Sequence, residues 1–275
     1  NPAAGQPKKF LDECKMKSIR TESGSRADSE GRAALTVLYD NTVYQEGLQA
    51  EWGFSCLIEG AEKTILFDTG GNPQILKSNC RMLNVDPGRI DMVVISHMHW
   101  DHINGLDWLV QENPRLWIFL PDSAEEETVR QLQNKAQRAE RVSKRKCLCG
   151  GVFSTGTLPH RIPEQSLCLE TPQGTVVITG CSHPGIVQIL EKARDLSGRS
   201  IRLALGGFHL KDHTPEQTLK IIEQIRQLGV EQIGPTHCTG EGAIAAFKQV
   251  WADNFIVMGA GRKIDIQLEK KVCPE

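Results

Sequence analysis

The stretch Met92-Val93-Val94-Ile95-Ser96-His97-Met98-His99-Trp100-Asp101-His102 joins a short apolar run to four side chains that can bind metal. The run is typical of a buried strand, and His97, His99 and Asp101 alternate by two, so they share one face in extended chain. His102 breaks the alternation, as expected where the chain turns into a helix. Nitrogen and carboxylate ligands at this density predict a site for Zn²⁺, Fe or Mn.

Three later histidines, His183, His209 and His237, also follow apolar runs. Repeated histidines at the ends of predicted strands indicate one metal site at the edge of a sheet. His209 comes directly after Gly206-Gly207-Phe208, and glycines let the backbone approach a ligand closely. We therefore predict that His209 contacts the substrate or transfers a proton, the alternative being a histidine hydrogen-bonded beneath the site.

Composition restricts the possible partners. The chain has 275 residues, 39% of them hydrophobic and 24% charged, which is typical of a soluble globular protein. Its formal net charge of −2 argues against a nucleic-acid or anionic-membrane partner. A small-molecule substrate is the remaining expectation, and the oligomeric state stays open.

The nine cysteines are an odd number, which argues against a simple disulfide framework and favours a reducing cytosol. We therefore expect a cytoplasmic protein, although a chain that begins with Asn1 leaves a secreted or lipid-anchored origin open.

The chain divides into a polar arm, residues 1–32, and a single domain, residues 33–275. The domain mixes strands and helices, and we expect an α+β fold with a buried sheet core covered by helices. Strands are predicted at 35–39, 53–58, 64–67, 92–95, 116–120, 167–169, 175–179, 201–205 and 232–234. Helices are predicted at 73–83, 106–112, 124–142, 186–196, 215–228 and 243–251.

The motif His97-x-His99-x-Asp101-His102 resembles the signature of the metallo-β-lactamase fold superfamily. Phe67-Asp68-Thr69-Gly70 resembles its first motif, and Pro235-Thr236-His237 its last. The resemblance implies a four-layer αββα sandwich with two divalent ions, most simply zinc, at one edge of two packed sheets. One ion would take His97, His99 and His183, and the other Asp101, His102 and His237. Asp68 would orient a ligand histidine without binding metal itself.

The sequence departs from that family pattern at two places. Cys181 stands where an aspartate usually bridges the two metals, and Pro163-Glu164-Gln165 stands where a histidine motif is usual. We expect His183 to supply the missing imidazole. Cys181 is either a thiolate ligand or a small buried residue. Both side chains should lie within a few ångströms of the metals.

Segments such as Thr179–Ile186 and Gly206–Leu210 resemble one branch of the superfamily. That branch holds metal-dependent hydrolases and a dihydropterin-transferring synthase. The resemblance implies a hydrolase whose metal-activated water attacks an ester, lactone or phosphoester, with Asp101 able to accept a proton. The alternative is pterin transfer on a phosphorylated or pterin-like substrate.

Two further classes fit less well. Redox di-iron relatives usually carry Glu at the position of His99, and a non-enzymatic binding protein would not need a nearly full ligand set. Basic residues at 138–146 could meet a phosphate, although a solvated helix face is the simpler interpretation.

Overall fold

Residues 31–269 and Cys273 are described in the computed structural model, so most of the predicted arm, residues 1–32, lies outside the described residues. The single-domain assignment of residues 33–275 stays a prediction. The strands are β1 (Arg32–Tyr39), β2 (Ser55–Glu59), β3 (Ile65–Phe67), β4 (Met92–Val94), β5 (Trp117–Pro121), β6 (Arg138–Val142), β7 (Lys146–Cys149), β8 (Val152–Ser154), β9 (Leu167–Thr171), β10 (Gly174–Thr179), β11 (Ile201–Gly207), β12 (Gln232–Thr236) and β13 (Lys263–Gln267). The helices are α1 (Pro73–Met82), α2 (Trp100–Ile103), α3 (Leu106–Glu112), α4 (Glu126–Lys135), α5 (Ile186–Ser197), α6 (Pro215–Gln227) and α7 (Glu241–Trp251).

Alternation along the strands separates two apolar faces. In β4, Met92 and Val94 join the cluster between the sheets, whereas Val93 joins the cluster under the helices. In β10, Val176 and Ile178 likewise face the other sheet. Because both faces of each strand are covered, the sequence of each strand is a continuous apolar run.

Two sheets form the centre of the fold. One has seven strands in the order β13-β1-β2-β3-β4-β5-β6, and the other has six in the order β12-β11-β10-β9-β8-β7. Residues of α1, α3 and α4 pack on the outer face of the first sheet, and residues of α5, α6 and α7 on that of the second. This arrangement confirms the α+β, four-layer αββα sandwich that the sequence resemblance implied.

One helix of the sequence-based assignment is wrong. The helix expected over residues 124–142 ends at Lys135, and β6 follows as the edge strand beside β5. The apolar spacing of Val129 and Leu132 supports only the first part. The charged residues of β6 are not typical of a strand, so the sequence did not predict one there. Its hydrogen-bond partners belong to β5, which precedes α4 in the chain.

The strand directions bring the functional loops to one edge. Strands β3 to β6 are mutually parallel, as are β10, β11 and β12. In open α/β sheets the loops at the carboxyl ends of parallel strands form the ligand-binding edge. Asp68 follows β3, the histidine cluster follows β4, and Cys181 follows β10.

A disulfide joins Cys147 of β7 to Cys273. This bridge is contrary to the expectation that the cysteines stay reduced, since structural disulfides are rare in a reducing cytosol. Across the described residues, no helix combines the length and apolar character that crossing a membrane requires.

Candidate metal centre

Four ligand atoms converge beside the short helix α2. Asp101 Oδ2 lies 3.3 Å from His237 Nε2 and 3.5 Å from His102 Nε2. Cys181 Sγ lies 3.2 Å from His102 Nε2 and 3.4 Å from His237 Nε2. The side chains of Asp101, His102, Cys181 and His237 therefore surround one point, as four ligands of a single ion would.

A second group shares Cys181 with the first. His97, Cys181 and His183 also bring one ligand atom each within 4.8 Å of one another. The ring of His99 borders this group, with its centroid 4.6 Å from that of His97 and 4.9 Å from that of His183. The predicted ligand residues thus fall into two adjoining sets, with the Cys181 thiol between them.

Asp68 holds the imidazole of His102 from outside the centre. Its Oδ2 lies 2.6 Å from His102 Nδ1, and its two oxygens accept hydrogen bonds from the backbone and hydroxyl of Ser96. Burial lowers the pKa of His102, but the adjacent Asp68 and Asp101 carboxylates outweigh it and raise the pKa to about 10 in the metal-free protein. Asp68 therefore contacts His102 at the ring nitrogen that faces away from the other candidate ligands, and its orienting role stays a prediction.

Glu164 organises the turn after β10. Its Oε1 accepts hydrogen bonds from the backbone of Cys181 and Ser182, and its Oε2 lies 3.0 Å from His183 Nδ1. Burial raises the pKa of Glu164, but the hydrogen bonds and the charge of His97 lower it below its usual range. Sequence reasoning noted this residue only as a departure from the family motif and gave it no role.

Asn41 was also missed, and it supports the last ligand. Its Oδ1 lies 2.9 Å from His237 Nδ1, and its Nδ2 donates to the His237 carbonyl at 3.1 Å. The neighbouring Asp40 accepts a hydrogen bond from Thr236, and burial raises its pKa to about 6. The signal in the sequence is the polar pair Asp40-Asn41, which directly follows the apolar residues of β1.

His209 lies beside His183 of the second ligand group. Its ring centroid is 4.5 Å from that of His183, and its Nδ1 is buried without a hydrogen-bond partner among the described residues. Both histidines line a cavity of about 280 Å³ whose walls include Phe208, Leu210 and Ile221. His209 is thus placed to touch a molecule that enters this cavity.

The donor set fits metal ions. His97 is fully buried, and its Nε2 has no hydrogen-bond partner among the described residues. Burying a nitrogen without a hydrogen-bond partner costs free energy, and a bound cation would supply the missing partner. Imidazole, thiolate and carboxylate ligands in fours are the donors that Zn²⁺ prefers.

The rim of the centre carries aromatic rings and one cation. The Trp52 ring lies 5.0 Å from that of His237, and Lys211 Nζ lies 4.8 Å from the Trp52 centroid. Trp100 is about half exposed, whereas Phe54 is buried in the core. Among the basic residues at 138–146, Arg138 and Lys146 both pair with Glu140, and Arg141 pairs with Glu126.

Comparisons with known proteins agree with this geometry. A 7,8-dihydropterin-6-methyl-4-(β-D-ribofuranosyl)-aminobenzene-5′-phosphate synthase of Methanocaldococcus jannaschii is 28% identical, over 83% of this chain and 95% of its own. An uncharacterised protein of the same organism is 30% identical, over 84% of this chain and 100% of its own. The crystal structure of Tm1679, described as a metal-dependent hydrolase of the β-lactamase superfamily, superposes with a TM-score of 0.72. It is 27% identical and covers 86% of this chain and 99% of that one.

The sequence profile of the metallo-β-lactamase superfamily matches residues 53–237, from the glycine before β2 to the last ligand histidine. That span contains every predicted metal ligand. The chain belongs to the metallo-β-lactamase superfamily.

Proposed function

We propose that this protein is a binuclear metal-dependent hydrolase of small phosphoester, ester or lactone substrates. The supporting observation is the pair of ligand groups that share Cys181. One ion would be held by residues among His97, His99, His183 and Cys181, and the other by residues among Asp101, His102, His237 and Cys181. Zinc suits this combination of thiolate, imidazole and carboxylate best, with Fe and Mn as the other choices.

Bound divalent ions would supply Lewis acidity and lower the pKa of coordinated water. The proton transfers would fall to side chains of the protein itself. Asp101 would accept a hydrogen bond from the attacking water while its carboxylate stays a ligand. His209, which lines the adjoining cavity, is placed to donate a proton to the leaving group.

The rim supports a planar, phosphorylated substrate. The exposed Trp52 ring offers a stacking surface, and Lys211 above it offers a positive charge. The cavity of about 280 Å³ beside His183 and His209 is large enough for part of a small organic molecule. Together they favour a ring-bearing phosphoester over a large polymer.

Metal content and activity test this proposal together. We expect about two metal equivalents per chain and hydrolysis of at least one phosphodiester, ester or lactone in a panel. Asp101→Asn should lower the rate by about 100-fold or more, because it removes a ligand charge at the reacting centre. The matched control is Asp107→Asn at an exposed residue of α3 that pairs with Lys135. Equal rates for both variants and the wild type would contradict the hydrolase.

Pterin transfer is the second candidate. It is favoured by the similarity to the Methanocaldococcus synthase and by the Trp52 and Lys211 rim, which suits a flat ring beside a phosphate. In that reaction the same centre would stabilise a departing diphosphate while the rim excludes water. Incubation with a dihydropterin diphosphate and a ribofuranosylaminobenzene phosphate, followed by mass spectrometry, distinguishes a coupled product from a hydrolysed one.

A further inference from the structure

A second concave surface lies at the end of the first sheet that is opposite to the metal centre. It is a cavity of about 350 Å³ formed where the parallel strands β3, β4 and β5 begin. Met92 at the start of β4 pairs with Ile65 of β3 and Trp117 of β5, which places the three strand starts in one row. Asp91 and His97 are six residues apart, and at 3.3 Å per residue about 20 Å separates this cavity from the ligands.

Three cationic side chains from separate loops line this surface, which we call the basic cavity. They are Lys63 before β3, Arg89 before β4 and Arg115 before β5. Asp91 contributes the one carboxylate of the lining. Its Oδ1 pairs with Lys63 Nζ at 3.4 Å, and its Oδ2 accepts a hydrogen bond from the Thr64 backbone at 2.8 Å. With three positive side chains and one negative one, the lining carries an excess positive charge.

The two arginines of the basic cavity have no carboxylate partner among the described residues. Arg115 donates to the Gly88 carbonyl at 3.4 Å, and no ion pair within residues 31–269 includes Arg89 or Arg115. Elsewhere around the same sheet, Lys135 pairs with Asp107 and Arg141 pairs with Glu126. The one carboxylate of the lining, Asp91, pairs with Lys63 and with neither arginine, so a bound anion would reduce the repulsion between Arg89 and Arg115.

The frame of the basic cavity is fixed before any ligand arrives. The buried Asn113 amide donates to the carbonyls of Pro87 and Ile90 at 3.2 and 2.8 Å, and its Oδ1 accepts from the Arg115 backbone at 3.0 Å. One side chain thus ties the loop that carries Arg89 to the loop that carries Arg115. A preformed site loses less conformational entropy on binding than a mobile one.

We propose that the basic cavity binds a compact phosphate-class anion, either inorganic diphosphate or the phosphate end of a small organic molecule. Arginine forks match phosphate oxygens in pairs, and charge-assisted hydrogen bonds of this kind are the stronger ones in proteins. The volume lies within the range of small-molecule sites. The partly buried Trp117 supplies an apolar wall for an organic part. The site does not depend on the function proposed for the metal centre.

Calorimetric titration of the metal-loaded protein with inorganic diphosphate tests this site. We expect one saturable site per chain, weakened about tenfold or more in the Arg89→Ala/Arg115→Ala double variant because charged hydrogen bonds are lost. Arg226→Ala, at an exposed arginine of α6, is the matched control and should bind like the wild type. Metal content and unfolding temperature should stay unchanged in both variants, which separates a lost site from a lost fold.

Further titrations identify the source of the phosphate. If adenosine 5′-monophosphate binds more tightly than phosphate and adenosine does not bind, the ligand is an organic phosphate. If diphosphate binds most tightly, the ligand is the inorganic anion. Unchanged diphosphate affinity in the double variant would place the anion at the metal centre and overturn the proposal. Absence of binding to the wild type, or binding of a single-stranded oligonucleotide without binding of diphosphate, would overturn it as well.

Discussion

Several candidate ligand imidazoles are held through the nitrogen that faces away from the metal centre. When Nδ1 is engaged by a partner, the tautomer and the ring plane are set, and Nε2 is presented to the ion. The partners differ in charge, since they comprise two carboxylates, an amide and a hydroxyl. The pairs are His102 with Asp68, His183 with Glu164, His237 with Asn41 and His97 with Ser96.

Glu164→Gln should weaken metal binding. The substitution keeps the size of the side chain but removes the charge beside His183 and an acceptor for the Cys181 and Ser182 backbone. We expect affinity to fall by about 10- to 100-fold, the usual effect of losing such a partner. Competition with a chromogenic chelator measures the loss. Glu191→Gln on the exposed face of α5 should leave affinity unchanged, and equal affinity of both variants would contradict the role of Glu164.

Asp40 makes stability depend on pH in a predictable direction. Burial raises its pKa in the folded state to about 6, above the ordinary value for an aspartate, so the folded protein binds the proton more tightly than the unfolded chain does. Stability contributed by the protonated form is therefore lost as pH rises from about 4 to 6. Two pKa units correspond to up to about 3 kcal/mol.

Asp40→Asn removes this titration. Urea unfolding of both proteins at several pH values should show the wild type losing stability relative to the variant between about pH 4 and 6, with no further change above pH 7. A constant difference across that range would contradict the assignment.

At the scale of elements, several residues at the ends of strands, among them three candidate site residues, have left-handed backbone conformations. Asp68, Ser182, His209 and His237 have φ values of 57°, 64°, 55° and 52°. Non-glycine residues rarely adopt this conformation, and they concentrate at functional sites where the surrounding structure enforces it. Each of these residues follows a parallel strand within three positions, so the sheet fixes the point at which the chain turns.

Gly180 shows how closely the two sheets approach at this edge. A Cβ there would collide with Ser96 and lie 3.0 Å from Asp68 Oδ2, the atom that orients His102. Gly180→Ala should therefore destabilise the fold by about 1–3 kcal/mol and weaken metal binding as well. Gly242→Ala in α7, where a Cβ meets nothing within 4 Å, is the control.

The control should be neutral or stabilising by up to about 1 kcal/mol, because alanine lowers the entropy of the unfolded chain. Chemical unfolding and chelator competition measure both effects. If the Gly180→Ala protein is as stable as the control and binds metal as tightly, this edge of the sheets tolerates a methyl group and the prediction is wrong.

At the scale of the whole molecule, the inner core between the sheets joins the two halves of the domain, and the metal centre lies where both sheets end. Ligands come from both halves, because Asp101 and His102 follow the first sheet while Cys181 and His237 follow strands of the second. A bound ion therefore links the sheets across their common edge, and metal removal should lower the unfolding temperature.

The Cys147–Cys273 disulfide is a second link, between β7 and the chain near its end. It closes a loop with a sequence separation of 126 residues. Its removal in the double variant Cys147→Ser/Cys273→Ser should lower the unfolding free energy by about 2–4 kcal/mol. Under reducing agent, the wild type should fall to the level of the variant. Equal stability of both proteins under oxidising conditions would contradict this contribution.

Local patterns in the sequence determined the elements and the central ligands. Short apolar runs predict strands such as β4 and β10, because both faces of these strands are buried. The Thr214-Pro215-Glu216-Gln217 start of α6 forms the capping box that its spacing predicts. The cluster from His97 to His102 could also be singled out as candidate metal ligands, since its members stand close together in sequence.

Only the tertiary structure decided which distant residues meet. Glu164 and Asn41 are ordinary polar residues in sequence, and their roles arise because β10 and β12 bring His183 and His237 to them. The edge strand β6, the sharing of Cys181 between two ligand groups and the basic cavity have the same origin. Local sequence specifies a residue's own conformation, whereas hydrogen-bond partners and electrostatic neighbours far along the chain are specified by the packing of the sheets.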